Sequence, residues 1–334
     1  MILEGFSLVL LSACLAYLIT PRLAELMHRI GHTRPDVHKK GHPQVAYSGG
    51  IAIYVALFPS VALIALQRPH LMLHVLTLTL TYTIAFIVGL VDDFKVLSGR
   101  LKTLLSFLTV IPIVIFSALF PSVFNLGRPL VPLLGRLRLT LIYWVLLPFV
   151  TAGPANLVNM LDVFNGVMPL STLTVTFALS VSVLVLGLED KVLFLLPLLG
   201  TLLGYLPYNK LPARVFNGDS GSLLVGAYIG GVAALLNLEF IVAVSLLPHI
   251  VNGALVIISA RGFREHRQME ERPVIVRGDF KLAASESSRA PVSLTRLILA
   301  LDGPLGEQQV VKRLVSLTAV SSILAVISAY LIPR

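Results

Sequence analysis

Long apolar runs recur along the chain, and polar residues collect in the segments between them. The runs hold about 17 to 25 residues each, the length at which an α-helix crosses the hydrocarbon core of a bilayer. The pattern therefore predicts an all-α, polytopic membrane protein of about ten transmembrane helices, forming one domain over residues 1–334. The predicted spans cover residues 3–20, 49–67, 72–90, 102–122, 139–157, 168–188, 191–208, 220–236, 238–260 and 313–332.

Composition removes the alternative of a soluble protein of this length. Only 13% of the residues are charged and 56% are hydrophobic, whereas soluble domains carry about 25% charged residues. The first run lacks a preceding basic segment and a small-residue cleavage site, so it is predicted to be a membrane helix rather than a cleaved signal peptide. The single cysteine, Cys14, lies within this run and excludes an intrachain disulfide.

The net charge of +9 would suit a nucleic-acid-binding protein, but its distribution indicates a membrane orientation instead. The loops that follow helices 1, 3, 5, 7 and 9, each counted with the first residue of the next helix, hold 20 of the 26 Lys and Arg residues. The ratio is still ten to six when residues 261–313 are left out. Because basic loops stay in the cytoplasm, these loops are predicted to face it from the cell membrane. No nucleic-acid partner is expected.

Five clusters of polar residues fall on this predicted cytoplasmic side. Ionisable groups near membrane helices are costly and usually functional. Each cluster alone could be a solvated helix end, but five at one face indicate a common site. The clusters comprise residues 34–40, residues 89–95 with Lys102, residues 156–166, residues 216–222 and residues 261–267.

The second cluster carries the adjacent carboxylates Asp92 and Asp93 at the end of the third span. Neighbouring residues of a helix point about 100° apart, so one aspartate is expected to face the site and the other a basic partner. Carboxylates at a helix C-terminus oppose the helix dipole. A divalent cation or a lysine would compensate them.

The third cluster places Asn156, Asn159 and Asp162 three residues apart, so that successive members are neighbours on a helix. Amide and carboxylate oxygens suit Mg²⁺, which takes one or two carboxylates together with substrate phosphates. A polar contact between membrane helices is the alternative for the asparagines.

The last two clusters carry groups that could bind phosphate. In residues 218–222 a glycine turn precedes the start of a helix, whose free N–H groups favour anions, although Asp219 could also be a simple cap. Beside the other carboxylates, this segment is predicted to form a metal–phosphate site. The loop around His266 is rich in arginines, whose guanidinium forks match phosphate oxygens; contact with anionic lipid is the alternative.

Taken together, these motifs resemble those of the polyprenyl-phosphate N-acetylhexosamine-1-phosphate transferases, the MraY-like superfamily, over most of the chain. Asp92 and Asp93, followed by Lys102 nine residues after the second aspartate, resemble the aspartate pair and essential lysine of that family. The resemblance implies that these three residues are catalytic.

Two further motifs carry the resemblance. Asn156-x-x-Asn159, ending in Asn165-Gly, is similar to the asparagine motif in which the residue matching Asn159 contacts magnesium. Phe216-x-Gly-Asp219 is similar to a motif whose aspartate binds magnesium and whose aromatic residue neighbours the nucleotide. The resemblance therefore implies Mg²⁺, or Mn²⁺ in its place, held by Asp219 and Asn159.

The departures from the family pattern indicate a subgroup. Glu265-His266-Arg267 is similar to the Arg-His-Arg of eukaryotic members, which grips sugar and phosphate, with Arg264 as a replacement for the first arginine. The segment ending in His38-Lys39 is similar to prokaryotic members instead. An archaeal or eukaryotic-type UDP-GlcNAc:dolichyl-phosphate GlcNAc-1-phosphate transferase is therefore expected.

This resemblance implies a reaction and its partners. N-Acetylglucosamine-1-phosphate would pass from UDP-GlcNAc to dolichyl or undecaprenyl phosphate in the membrane, giving lipid-diphosphate-GlcNAc and UMP. This would be the first membrane step of glycan assembly, for protein glycosylation or cell wall biogenesis. A homodimer is also expected. The loop of residues 261–293 is expected to bind substrate, and the expected substrate contacts are Lys39, Asn156, Asp162, Asn165, Phe216, Arg264, His266 and Arg267.

Other functions fit the sequence less well. The same chemistry on another UDP-N-acetylhexosamine or on UDP-MurNAc-pentapeptide stays open. A secondary transporter would show internal repeats and polar residues at mid-helix, whereas here the halves show no repeat. A CDP-alcohol phosphotransferase would carry a spaced aspartate motif within one helical segment, which the sequence lacks.

Overall fold

The computed structural model describes residues 2–260, 262 and 271–333. In this part of the chain, nine helical segments are long and apolar enough to cross a membrane, and a bent pair of helices makes a tenth. The helices are α1 Ile2–Arg29, α2 Gly50–Gln67, α3 Met72–Phe94, α4 Gly99–Ser106, α5 Ile111–Leu119, α6 Leu141–Leu161, α7 Val167–Val185, α8 Leu196–Asn209, α9 Gly218–Leu236, α10 Glu239–Ser245, α11 Leu247–Ser259, α12 Leu294–Asp302 and α13 Glu307–Tyr330.

All ten predicted spans correspond to helices, which confirms the all-α polytopic fold. The fourth span is α4 and α5 joined by a 3₁₀ turn at Phe107–Val110. The ninth is the pair α10 and α11, bent by 74°, with Pro248 in the first turn of α11. Proline lacks the N–H that would continue the first helix, so it is well placed to start the second.

Several helices extend further than the apolar runs predicted, always towards the same face. The helix α1 continues to Arg29, α3 to Phe94 and α6 to Leu161, while α13 begins at Glu307. An apolar run measures only the hydrocarbon layer, whereas the helix itself continues through polar residues beyond it. Among the described residues, the clusters at 89–95, 156–166 and 216–222 therefore lie at helix ends rather than wholly in loops.

The helix α9 lies at the centre of the bundle, and 94% of its membrane-spanning window is buried. Glycines allow its neighbours to approach closely, as is common between membrane helices. A Cβ atom at Gly226 would lie 2.3 Å from the Pro154 carbonyl of α6, and one at Gly89 of α3 would lie 2.4 Å from the Asp219 carbonyl. The first turn of α9 is thereby held against α3.

One end of the bundle, here called the site face, is formed by the last residues of α1, α3, α6, α8 and α11 and the first residues of α2, α4, α7, α9 and α13. Backbone groups tie these ends together: the amides of Gly49 and Gly50 donate to the carbonyls of Phe216 and Asn217, at 2.8 and 2.9 Å. The strands are short hairpins: β1 Thr33–Pro35 with β2 Gln44–Ala46, β3 Leu130–Val131 with β4 Gly135–Arg136, and β5 Val274–Val276 with β6 Leu282–Ala284.

A separate apolar cluster covers part of the site face. It joins Phe164 of the α6–α7 loop, Leu282 of β6, Leu299 of α12 and Leu314 of α13. This cluster fixes the described part of the 261–293 loop, from residue 271 onwards, against the start of α13. The part of this loop from residue 271 onwards is thus packed on the same face as the polar clusters.

Candidate active site

The first turn of α9 is held by the carboxylate of Asp93. The amide of Asp219 donates to Asp93 Oδ1 at 2.7 Å, and the Ser220 hydroxyl donates to Asp93 Oδ2 at 2.6 Å. Gly218 precedes them with φ +68°, and a Cβ there would lie 2.4 Å from Asp93 Oδ2. The anion at the Asp219 and Ser220 amides is therefore Asp93, whereas the sequence predicted a phosphate at this helix N-terminus. Asp93 acts through Asp219, by holding it in place.

Asp92 points away from Asp93, towards Lys102. The Lys102 ammonium lies 2.7 Å from Asp219 Oδ2 and 3.5 Å from Asp92 Oδ2. The side chains of Asp92 and Lys102 are only 0% and 9% exposed, so this ion pair is nearly closed to water. Asp92 both faces the site and pairs with a basic residue. The sequence predicted that these two roles would be divided between Asp92 and Asp93.

Local structure places Lys102 there. The helix α4 begins just after Ser98, whose side chain caps it by accepting from the amide of Leu101 at 3.3 Å. The amide of Leu97 donates to Asp92 Oδ1 at 2.6 Å and closes the turn between α3 and α4. This turn brings the first turn of α4 back over the end of α3, so that Lys102 meets Asp92.

The two asparagines of α6 have different roles. Asn159 Nδ2 donates to Asp219 Oδ1 at 2.7 Å and to the Ser222 hydroxyl at 2.8 Å. Asn156 Nδ2 instead donates to the Ser106 hydroxyl at 2.7 Å, which makes it a contact between helices. Asn159 therefore belongs to the Asp219 site. For Asn156, the structure favours a helix–helix contact over substrate binding.

Asp162 follows the last residue of α6 and faces Asn217, the residue before α9. Asn217 Nδ2 lies 2.9 Å from each carboxylate oxygen. Burial of the carboxyl group raises the pKa of Asp162 to about 7, although the Asn217 hydrogen bonds oppose this. Asp162 thus borders the Asp219 site without joining its ion pairs.

Lys39 and Asn165 lie together in a second cluster, which also holds two buried carboxylates. Lys39 forms ion pairs with Glu307 and, at 3.6 Å, with Asp36. Asn165 Nδ2 donates to Asp36 Oδ2 at 2.9 Å, and its amide donates to Glu307 Oε1 at 3.0 Å. The cluster ties the β1–β2 hairpin, the α6–α7 loop and α13 together, and sequence analysis missed Glu307 because its partners are remote along the chain.

The remaining predicted residues divide into two groups. Phe216 is half-buried two residues before α9, and its amide donates to the carbonyl of Ala46 at 2.8 Å. Its contact with a nucleotide stays a prediction. Arg264, His266 and Arg267 lie outside the described residues. Arg272, further along the same loop, is near enough to His38 for its charge to favour the neutral imidazole, whose pKa is lowered chiefly by burial.

The residues around Asp219 fit a divalent cation. Asp92 and Asp219 converge on one cationic group, the Lys102 ammonium. The carboxamide of Asn159 lies against Asp219, and a turn of this group about its last torsion presents oxygen instead of nitrogen. Carboxylate and amide oxygens are the ligands that hard cations such as Mg²⁺ take. Asp219 and Asn159 would hold such an ion.

Comparison with known proteins indicates which class of protein the chain resembles. Residues 75–237 match the model of glycosyl transferase family 4. The chain is similar to phospho-N-acetylmuramoyl-pentapeptide-transferases: it is 29% identical to that of Bacillus cytotoxicus over 267 residues, and 28% identical to those of Bacillus thuringiensis and Bacillus cereus over 270 residues. Each match covers 76% of this chain and 81% of the relative.

The bundle, its site and these matches define a multi-pass membrane phosphosugar transferase. These matches support the superfamily of polyprenyl-phosphate N-acetylhexosamine-1-phosphate transferases, as the motifs of the chain predicted. The substrates of this superfamily are a nucleotide sugar and a polyprenyl-phosphate lipid. The Asp219 site lies within the matched segment, whereas Lys39, Glu307 and the 261–293 loop lie outside it. A closer kinship with archaeal or eukaryotic members stays a prediction.

Proposed function

We propose that this chain transfers N-acetylglucosamine-1-phosphate from UDP-GlcNAc to dolichyl or undecaprenyl phosphate. The observation that carries the proposal is the convergence of Asp92, Lys102, Asn159 and Asp219 at one membrane face. An oxygen of the lipid phosphate attacks the phosphorus that bears the sugar. The bond from that phosphorus to the bridging oxygen breaks, UMP leaves with the oxygen, and the sugar C1–O bond stays intact.

The difficulty of this reaction is the repulsion between two polyanions. A phosphate monoester has a second pKa near 6, so the lipid phosphate is already largely dianionic at neutral pH and needs no strong base. A bound Mg²⁺ or Mn²⁺ would neutralise charge on the diphosphate and on departing UMP. Lys102 places a further positive charge at the reacting phosphates. Asp92 positions Lys102, and Asp93 positions Asp219.

The remaining residues either bind substrate or hold the rim of the site. Phe216 and Asp162 border the site from the side of α9 and would meet the nucleotide. Arg264, His266 and Arg267 supply cations for the diphosphate and the sugar. Lys39 and Asn165 hold the β1–β2 hairpin and α13 at the rim.

The site face is proposed to face the cytoplasm from the cell membrane. The chain is proposed to act as a single domain and to form a homodimer.

UDP-MurNAc-pentapeptide is the second candidate donor, because the matched relatives carry the name phospho-N-acetylmuramoyl-pentapeptide-transferase. The test uses purified protein in detergent with Mg²⁺, polyprenyl phosphate and either labelled donor, and follows lipid-linked label together with UMP release. UDP-GlcNAc is expected to be the better donor. Transfer from the pentapeptide donor alone would move the chain to the second candidate, and transfer from neither would overturn the proposal.

Two variants and a control assign the site in the same assay. Asp219→Ala and Lys102→Ala are each expected to lower the rate by about 100-fold or more, since each removes a charge that acts on the reacting phosphates. Lys95→Ala is the matched control, because Lys95 is an exposed lysine on the same face and lies outside the ion pairs of the site. Trapping a phospho-aspartate at Asp92 or Asp93 would contradict direct displacement.

A further inference from the structure

The Lys102 ammonium lies where the buried carboxylate of Asp92 converges with the carboxylate of Asp219, whose side chain is 15% exposed. It lies 2.7 Å from Asp219 Oδ2 and 3.5 Å from Asp92 Oδ2. Asp219 Oδ1 is engaged as well, since Asn159 Nδ2 donates to it at 2.7 Å. Both oxygens of the carboxylate that is proposed to hold the metal are thus already bonded to donors of the protein.

We propose that Lys102 and the divalent cation compete for Asp219, so that metal binding displaces the ammonium and releases it towards the substrate phosphates. The inference rests on the proposed function, because that function assigns the metal to Asp219. It adds that Lys102 is an exchangeable counter-ion, which weakens metal binding to the free enzyme while serving the reaction.

The physical argument is charge balance in a dry site. Asp92 is fully buried, and the Lys102 side chain is 9% exposed. Two carboxylates without a cation would be strongly unfavourable there, and one ammonium relieves them. An ammonium and a divalent cation on the same carboxylate would repel each other with little screening. Either the ammonium or the divalent cation can balance the charge of Asp92 and Asp219, but the two cations cannot occupy the site together.

A second observation explains how the exchange leaves the fold intact. The first turn of α9 is fixed by Asp93 through Asp219 N and Ser220 Oγ, at 2.7 and 2.6 Å. Asp92 is fixed separately by the Leu97 amide at 2.6 Å. The backbone of Asp219 and the carboxylate of Asp92 are therefore held by groups other than Lys102. Only the lysine side chain and the Asn159 carboxamide have to move.

The test measures Mn²⁺ binding by electron paramagnetic resonance, with the full chain in nanodiscs of phosphatidylcholine, whose neutral surface binds little Mn²⁺. Lys102→Met keeps the length of the side chain and removes its charge. We expect this variant to bind Mn²⁺ about tenfold or more tightly than the wild type, although it has lost transfer activity. Lys102→Arg keeps the charge and is expected to stay within about threefold of the wild type.

Lys95→Met is the control for general electrostatics, because it removes one positive charge from the same face without touching Asp92 or Asp219. Its Mn²⁺ affinity is expected to match that of the wild type. Thermal unfolding gives a second readout: Mn²⁺ should raise the midpoint of Lys102→Met more than that of the wild type, since there the ion replaces the lost ammonium. A Lys102→Met protein that is folded only with Mn²⁺ would support the exchange in the same way.

The double variant Lys102→Met with Asp219→Asn separates the two ways of failing. Binding that depends on Asp219 but is not tightened by Lys102→Met would overturn the exchange and leave the metal assignment standing. Mn²⁺ binding that survives Asp219→Asn would place the metal elsewhere. It would overturn both the exchange and the assignment of the metal to Asp219. An equal gain in Lys95→Met would also overturn the exchange, because the effect would then be a property of the whole surface.

Discussion

At the residue scale, Asn156 and Asn159 lie about one helical turn apart but make different contacts. Asn159 donates to Asp219 and to Ser222, whereas Asn156 donates to Ser106 across a helix–helix contact. The sequence alone could not distinguish their roles, because both are asparagines within one motif. The difference arises from the direction in which α6 presents each residue, towards α9 or towards α4.

Alanine substitutions should therefore separate activity from stability. Asn159→Ala is expected to lower the transfer rate by about 100-fold, because it removes a group of the proposed metal site, with a small change in thermal midpoint. Asn156→Ala is expected to cost about 1 kcal/mol of stability through its lost hydrogen bonds, with activity largely kept. Paired rate and thermal unfolding measurements test this, and equal effects on both properties would contradict the assignment.

Asp162 gives a prediction about pH. Its pKa is raised from 3.8 to about 7 by burial, so between these values the folded protein holds a proton that the unfolded chain has released. The stabilisation from this proton is complete below about pH 4 and is lost as the pH rises through 7. The thermal midpoint of Asp162→Asn should then fall less between pH 5 and pH 8 than that of the wild type. Parallel pH profiles would show that Asp162 titrates normally.

At the scale of elements, the site depends on how closely α3 approaches α9. Gly89→Ala would place a methyl group 2.4 Å from the Asp219 carbonyl and push the two helices apart. Overpacking of this kind costs about 1–3 kcal/mol, and displacing Asp219 should lower the transfer rate about tenfold or more. Thermal unfolding and the transfer assay measure the two effects.

Gly153→Ala is the matched control in α6, because a Cβ there meets nothing within 4 Å. Alanine is favoured over glycine within a helix by about 0.5–1 kcal/mol, so this variant should be as stable as the wild type or slightly more so. A similar loss in both glycine variants would show that close packing at Gly89 is unimportant.

The sequence predicts the elements well and their contacts only in part. Span length follows from the thickness of the bilayer, so every span could be located. Asp92, Lys102, Asn159 and Asp219 were identified through their motifs, and the structure brings them together. The cap formed by Asp93 could not be foreseen, because it depends on the approach of α9, 126 residues further along the chain. Glu307 was missed for the same reason, since it meets Lys39 across 268 residues.

At the scale of the whole molecule, the site face and its opposite differ in charge. Lys40 lies on the site face and Arg138 on the other, beside the β3–β4 hairpin, and both are exposed. The excess of Lys and Arg in the loops of the site face favours the cytoplasm for that side. A nucleotide sugar does not cross a bilayer, so this orientation decides from which compartment the donor is taken.

Membrane vesicles of known sidedness test the orientation. In a Cys14→Ala background, Lys40→Cys should react with an impermeant maleimide only in inverted vesicles, and Arg138→Cys only in right-side-out vesicles. Sealed inverted vesicles should also use added donor without detergent, because Asp219 and Lys102 then face the medium. Labelling of Lys40→Cys in right-side-out vesicles would reverse the orientation. Transfer would then have to start from a donor outside the cell, where nucleotide sugars are not made.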